Sequence, residues 1–163
     1  MRLTVRNKLF AGFGIVAALM IALGVVAVSK LATVYQSTKE FNESVVPGIE
    51  SMGSIDAAVQ SYRRNQWAHT AATDTTEMEK DEEEMAAEQA TIDETLVAYE
   101  KIILDAEDRK KFDDFTAKWT AYLEASDAFL AHSRAGRAVQ ARAVLNETGE
   151  AFGAVSETIA TST

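Results

Sequence analysis

The sequence predicts an all-α fold: an antiparallel up-down-up-down four-helix bundle continuous with an N-terminal transmembrane helix. Three observations predict it. Helix breakers are scarce, with Pro47 the single proline and five of the eight glycines lying after residue 28, in a chain rich in Ala, Glu, Thr and Leu. The stretch "LFAGFGIVAALMIALGVVAV", Leu9 to Val28, holds no charged or strongly polar side chain. Beyond it, apolar residues recur in alternating steps of three and four, the seam of a helix packed nearly parallel to its neighbours.

Residues 1–8 carry Arg2, Arg6 and Lys8, so the net charge of −9 leaves −12 for everything after them. At about 1.5 Å per residue, residues 9–28 reach ~30 Å, the thickness of a bilayer's hydrocarbon core. The basic flank assigns residues 1–8 to the cytoplasm and Lys30 onward to the outside, which in a bacterium means an inner-membrane anchor and a periplasmic domain over residues 30–163. A cleaved signal peptide is the competing reading, with small residues at Ala27 and Ser29. The apolar stretch is longer than the ~7–15 residues of a signal peptide, which favours the anchor. Export suits a chain with no cysteine.

The first bundle helix is predicted at about 30–73, on the seam Leu31, Val34, Thr38, Phe41, Val45, Gly48, Met52, Ile55, Val59, Tyr62, Gln66, His69, Thr73. The phase passes through Pro47-Gly48 unbroken, so this reads as one long helix with room for a kink. "TDTTEMEK" supplies a turn, with Asp74 as N-cap and Glu77 three residues on. The second helix, about 75–104, shows Met78, Met85, Ile92 and Tyr99 every seven residues. Asp105 caps the third, about 106–134, whose seam is Phe112, Phe115, Trp119, Tyr122, Ser126 and Phe129, ending at Gly136. In the fourth, 137–163, "RAVQARAVL" makes a helical turn or two and "NETGEAFGAVSETIA" then opens a segment that turns Thr148, Phe152, Val155 and Ile159 inward. Regaining the membrane from Arg137 takes about 45 residues. The chain stops at Thr163, so the fourth helix reads as truncated and the chain as the front piece of a longer protein.

Several chemistries are excluded. Without cysteine there is no disulfide scaffold, thiolate site or haem attachment. The acidic body disfavours nucleic acid. No nucleophile elbow, phosphate loop or cofactor fingerprint occurs, so neither an enzyme nor a cofactor is expected. Neither His69 nor His132 has Glu three residues before it, and His69 lacks a ligand at the next turn, which disfavours metal. The acidic run at residues 81–84 reads as a solvated face, and the aromatic row of the third helix as core.

One stretch departs from the pattern. In "YRRNQWAHT", Tyr62 to Thr70, the seam turns polar at Gln66 and His69, and two arginines flank it, Arg63 at heptad position e and Arg64 at f. The topology brings the start of the fourth helix, with Arg137, Arg142, Asn146 and Thr148, to the same membrane-distal end. An arginine fork beside a polar cleft matches a carboxylate in shape and charge. The bland alternative is a solvated helix face with snorkelling side chains.

The stretches "VVPGIESMGSIDAAVQSYRRNQWAHTAA" and "AGRAVQARAVLNETGEAFGAVSETI", behind a basic N-terminus and one membrane helix, resemble the sensor half of bacterial methyl-accepting chemotaxis proteins. That resemblance implies a homodimeric receptor that binds a small amino or organic acid at its membrane-distal dimer interface. It implies chemotaxis signalling through a kinase and an adaptor held by regions outside this chain. By position Arg63 and Arg64 match the carboxylate-holding arginines, and Thr148 the polar group from the fourth helix. Trp67 and Thr70 stand where the amino-acid receptors carry a further arginine, which leaves organic acids open. The expected ligand-binding set is thus Arg63, Arg64, Gln66, Trp67, His69, Thr70 and Thr148. Ligand is expected to favour one packing of the fourth helix against the first, sliding it relative to the membrane. The same bundle resembles sensor modules of histidine kinases and cyclases, and a membrane-anchored adaptor for a partner protein is the reading from another class.

Overall fold

The apolar run falls within one helix, α1 (Val5–Glu40), in the computed structural model, which describes residues 5–161. The side chains of Arg2, Arg6 and Lys8 lie outside what it describes, as do residues 162 and 163. Among the described residues the large apolar side chains of α1, Leu9 and Phe13 through to Val34 and Tyr35, are exposed. By length and composition the helix can cross a membrane, and its most apolar window has no burial inside the protein. It belongs to a compact unit of residues 1–43, separate from a second unit of residues 44–163.

Between α1 and α2 (Val46–Ala71) the chain makes a π-helical turn, Phe41–Val45. Proline supplies the cause. Pro47, at the start of α2, has no N–H, and its ring crowds the carbonyl four residues back, so the preceding turn widens. The single long helix of the sequence reading therefore has a π turn in its middle and ends at Ala71 rather than at 73.

The second unit is built from four helical legs: α2, α3 (Thr75–Glu100), α4 with α5 (Ala106–Ser126, Ala128–Arg134), and α6 with α7 (Ala138–Glu147, Gly149–Ala160). Side-chain pairs fix their directions. Along α2 and α3, His69 meets Glu82 while Gly48 lies against Tyr99, so the two run antiparallel. Against the fourth leg, Thr70 meets Arg142, Arg63 meets Thr148, and Gln60 meets Ser156, again antiparallel. The third leg runs parallel to α2, with Tyr62 on Trp119 and His69 on Ser133. This is the up-down-up-down four-helix bundle expected of the seam pattern.

The caps form as local chemistry requires. The Asp74 carboxylate accepts from the Glu77 N–H at 2.9 Å, and Asp105 accepts from Glu107 and Asp108. Glu77 reaches back to the Thr73 N–H at 2.9 Å, one residue earlier than a standard capping box. Thr73, expected on the seam, is exposed there beyond the end of α2. Gly136 has φ +70, the left-handed conformation that ends a helix, and separates the third leg from the fourth. The fourth leg is broken at Thr148, whose hydroxyl bonds back to the carbonyls of Val144 and Leu145 just before Gly149.

Met52, Ile55, Val59, Ile92, Leu96, Phe115, Trp119, Val155 and Ile159 form the main core. A smaller one of Met85, Phe129, Ala141 and Leu145 lies nearer the α2–α3 turn. Each large side chain contributes roughly 1.5–3 kcal/mol through burial. The polar seam residues Gln66 and His69 are as buried as the apolar ones, at 1% and 0% exposure, which makes them the positions to explain.

Candidate ligand site

Position e of the heptad left Arg63 free to face either way, and it faces inward. Its Nη1 donates to Tyr122 Oη at 3.0 Å, Thr148 Oγ1 at 3.1 Å and Gln66 Oε1 at 3.4 Å, and its Nη2 donates to the Leu145 carbonyl. The guanidinium carbon lies 5.2 Å from the ring centre of Phe152, 5.6 Å from Tyr122 and 5.8 Å from Trp67. Tyr122, fully buried, donates its hydroxyl hydrogen to Gln66 Oε1. Arginine, glutamine, tyrosine and threonine from three legs thus form one polar layer.

That layer has an unbalanced charge. Among the described residues no carboxylate pairs with Arg63, although the domain is strongly acidic. Its acceptors are all neutral: two hydroxyls, an amide oxygen and a carbonyl. The carbonyl belongs to the last turn of α6, where a cation meets the negative end of the helix dipole. Burial raises the Tyr122 phenol's pKa, with the nearby Arg63 charge holding part of the rise back. Tyr62 beside it is pushed up to about 12, first by burial and then by Tyr122 and Asp127.

Apart from His69, the other expected residues separate into three places. Gln66 and Thr148 join Arg63 directly, and Trp67, 37% exposed, flanks the guanidinium from the outside. Arg64 turns away and is exposed, donating to Ser61 Oγ at 3.1 Å. The two arginines therefore do not converge on one point. Thr70 is buried and accepts from Arg142 Nε at 3.3 Å while donating to the Trp67 carbonyl.

His69 nucleates a second polar cluster. Its Nδ1 lies 2.7 Å from Ser133 Oγ and its Nε2 lies 3.0 Å from Glu82 Oε1. Arg134 grips the same carboxylate at both oxygens, at 2.7 and 2.5 Å. The Arg134 hydrogen bonds, ahead of that from His69, pull the Glu82 carboxyl down to about 2. His132 stands apart, accepting from Arg137 Nε at 3.1 Å.

Sequence reading missed the partners more than the principals. Residues 81–84 read as solvated, yet Glu82 sits partly buried against His69. It lies four residues after Met78 and three before Met85, so the seam spacing already placed it inward. Tyr122 read as plain core, although a buried phenol needs a hydrogen-bond partner. The Leu145 carbonyl left no trace in the sequence.

Comparison with known proteins adds two findings. A family model described as a four-helix-bundle sensory module for signal transduction matches residues 2–162. YvaQ of Bacillus subtilis (strain 168), named as a sensory transducer protein, is 24% identical over 159 residues. The match covers 98% of this chain and 28% of YvaQ, so the chain spans little more than a quarter of that relative's length.

Proposed function

The chain belongs to the family of four-helix-bundle sensory modules for signal transduction, and from that premise we propose that it is the sensing part of a transmembrane chemoreceptor that reads a small carboxylate through Arg63. α1 anchors it in the bacterial inner membrane with the bundle in the periplasm. Two copies associate as a homodimer, and regions outside this chain engage the chemotaxis kinase and adaptor. The observation that carries the reading is the half-buried Arg63 guanidinium, which has neutral partners only among the described residues. A carboxylate is the group that a planar fork of N–H donors takes most strongly.

Signalling follows from what Arg63 holds. It ties α2 to the break in the fourth leg through Thr148 and the Leu145 carbonyl. A carboxylate that draws the guanidinium off those oxygens weakens that tie and favours a second packing of α7 against α2 and α4. The shift in population is bounded by the ligand's differential affinity for the two packings. The resulting slide of packed helices is a shear movement along the leg. Gln66, Thr148 and Trp67 complete the ligand's surroundings, while Arg64 lies at the rim.

Thermal denaturation of the chain in nanodiscs against a panel of small organic and amino acids tests this. A ligand at 100 times its Kd adds about 2.7 kcal/mol, a readily measured rise in Tm. We expect the rise to be lost in Arg63→Ala and retained in Arg64→Ala. A rise that survives Arg63→Ala, or no rise with any acid, overturns the carboxylate reading.

A further inference from the structure

The His69 cluster lies on α2, α3 and α5, outside the polar layer around Arg63. Its imidazole is fully buried, yet both ring nitrogens are bonded, one to α3 and one to α5. The ring also packs edge-on against Phe129, with centroids 5.6 Å apart. A buried imidazole presents one donor and one acceptor nitrogen when neutral, and both are satisfied here. Here the ring, together with the Glu82 carboxylate that Arg134 also holds, ties the first, second and third legs together at their distal end.

The hydrogen-bond inventory makes the ring's charge state consequential. Ionised Glu82 is an acceptor only, so Nε2 carries a hydrogen whether the ring is charged or neutral. A proton added to the ring therefore goes to Nδ1, facing Ser133. The Ser133 hydroxyl has one hydrogen and two neighbours that can take it: Nδ1 at 2.7 Å and the His69 carbonyl at 3.1 Å. When the ring is neutral, the hydroxyl donates to Nδ1, and the carbonyl loses that donor. When Nδ1 is protonated, it donates to Ser133 Oγ, and the hydroxyl donates to the carbonyl. The protonated state thus makes one hydrogen bond more.

Charged groups approach the ring from the other legs. Glu82 on α3 touches the ring, and Asp81 beside it on the same helix interacts with its charge. Arg134 on α5 opposes an imidazolium through the carboxylate they share. α6 brings Arg142 to neighbouring Thr70, and His132 on α5 is engaged with Arg137.

We propose that His69 is a proton-reading latch: protonation at Nδ1 tightens the bond between α2, α3 and α5, so that the sensory module responds to acidity as well as to a ligand. The latch lies six residues from Arg63 on the same helix, about 9 Å along its axis. No carboxylate ligand takes part, so it stands or falls apart from the Arg63 site.

The sequence contains two histidines, so His132→Gln leaves one ring to observe. Ring-nitrogen NMR of that chain in nanodiscs, with no ligand, is followed from about pH 8 to about pH 5, where imidazoles change charge. We expect Nε2 to stay protonated throughout while Nδ1 passes from the bare to the protonated range. The Tm of the His132→Gln chain should also gain on that of a chain also carrying His69→Gln as pH falls. Ser133→Ala keeps the ring and Glu82 but removes the relay, and should flatten that gain; it serves as the comparison if the His69 variant does not fold. A hydrogen on Nδ1 with Nε2 bare, a ring unchanged across the range, or an unaltered pH response in Ser133→Ala overturns the proposal.

Discussion

Glu82 illustrates how one side chain's surroundings fix its proton affinity. Arg134 holds both of its oxygens and His69 one, and its carboxyl is pulled from 4.5 to about 2. A carboxyl whose folded pKa is depressed contributes stability that is fully present above its unfolded value and is lost as pH falls through the folded one. The loss here is confined to the window from 4.5 down to about 2. The Arg134 side chain is 56% exposed, so solvent screening limits the pair's contribution to about 1 kcal/mol or less. Urea unfolding of the parent and Arg134→Met should differ above that window and converge within it. A difference that persists unchanged to the acid end would mean Arg134 stabilises by packing alone. Arg63 contrasts with this pair: it meets hydroxyls, an amide and a carbonyl, and no acid satisfies its charge among the described residues.

The helices themselves follow rules that act within a turn of chain, which is why they were legible. Asp74 and Asp105 cap because each is a short acceptor placed just before a run of helix formers, and both cap bonds form. Asp74→Ala should cost about 0.5–2 kcal/mol, measured as a lower urea midpoint with an unchanged m-value, since no buried contact is removed. A cost near zero would show that the Thr73–Glu77 bonds hold that helix start unaided. Seam spacing likewise gave Met52, Ile55, Ile92, Phe115 and Val155 as core. The sequence left room for a kink at Pro47 and divided the fourth leg just before Asn146, but the π form of the turn and the break at Thr148 itself were not legible. Periodicity continues through both, since neither shifts the seam far enough to change which residues face inward. The break also depends on a threonine bonding to its own helix and on Arg63 arriving from another leg.

At the scale of the whole molecule, the site was legible as a place and not as an arrangement. Polar seam residues and the first helix's arginines could be assigned to one end of a bundle, because topology alone decides which ends meet. Which arginine turns in depends on Tyr122 and Leu145, more than fifty residues away in sequence, and the adjacent positions 63 and 64 carry the same residue type. The division into two units is a further property of the whole. Both core clusters lie between Met52 and Ile159, and the large apolar side chains of α1 are exposed among the described residues. The bundle therefore owes its hydrophobic stabilisation to residues after the boundary at Ser44. A chain starting at Ser44 should remain soluble without detergent and unfold in one cooperative transition. Its Tm should lie within about 4 °C of the bundle transition in the full chain, the shift that ~1 kcal/mol produces in a domain of this size. If Arg63 senses a carboxylate from inside the bundle, the shortened chain should also keep the same ligand-dependent rise. A broad, non-cooperative melt would instead assign part of the bundle's stability to residues 5–43, and α1 would then be a structural member of the bundle as well as a candidate membrane span.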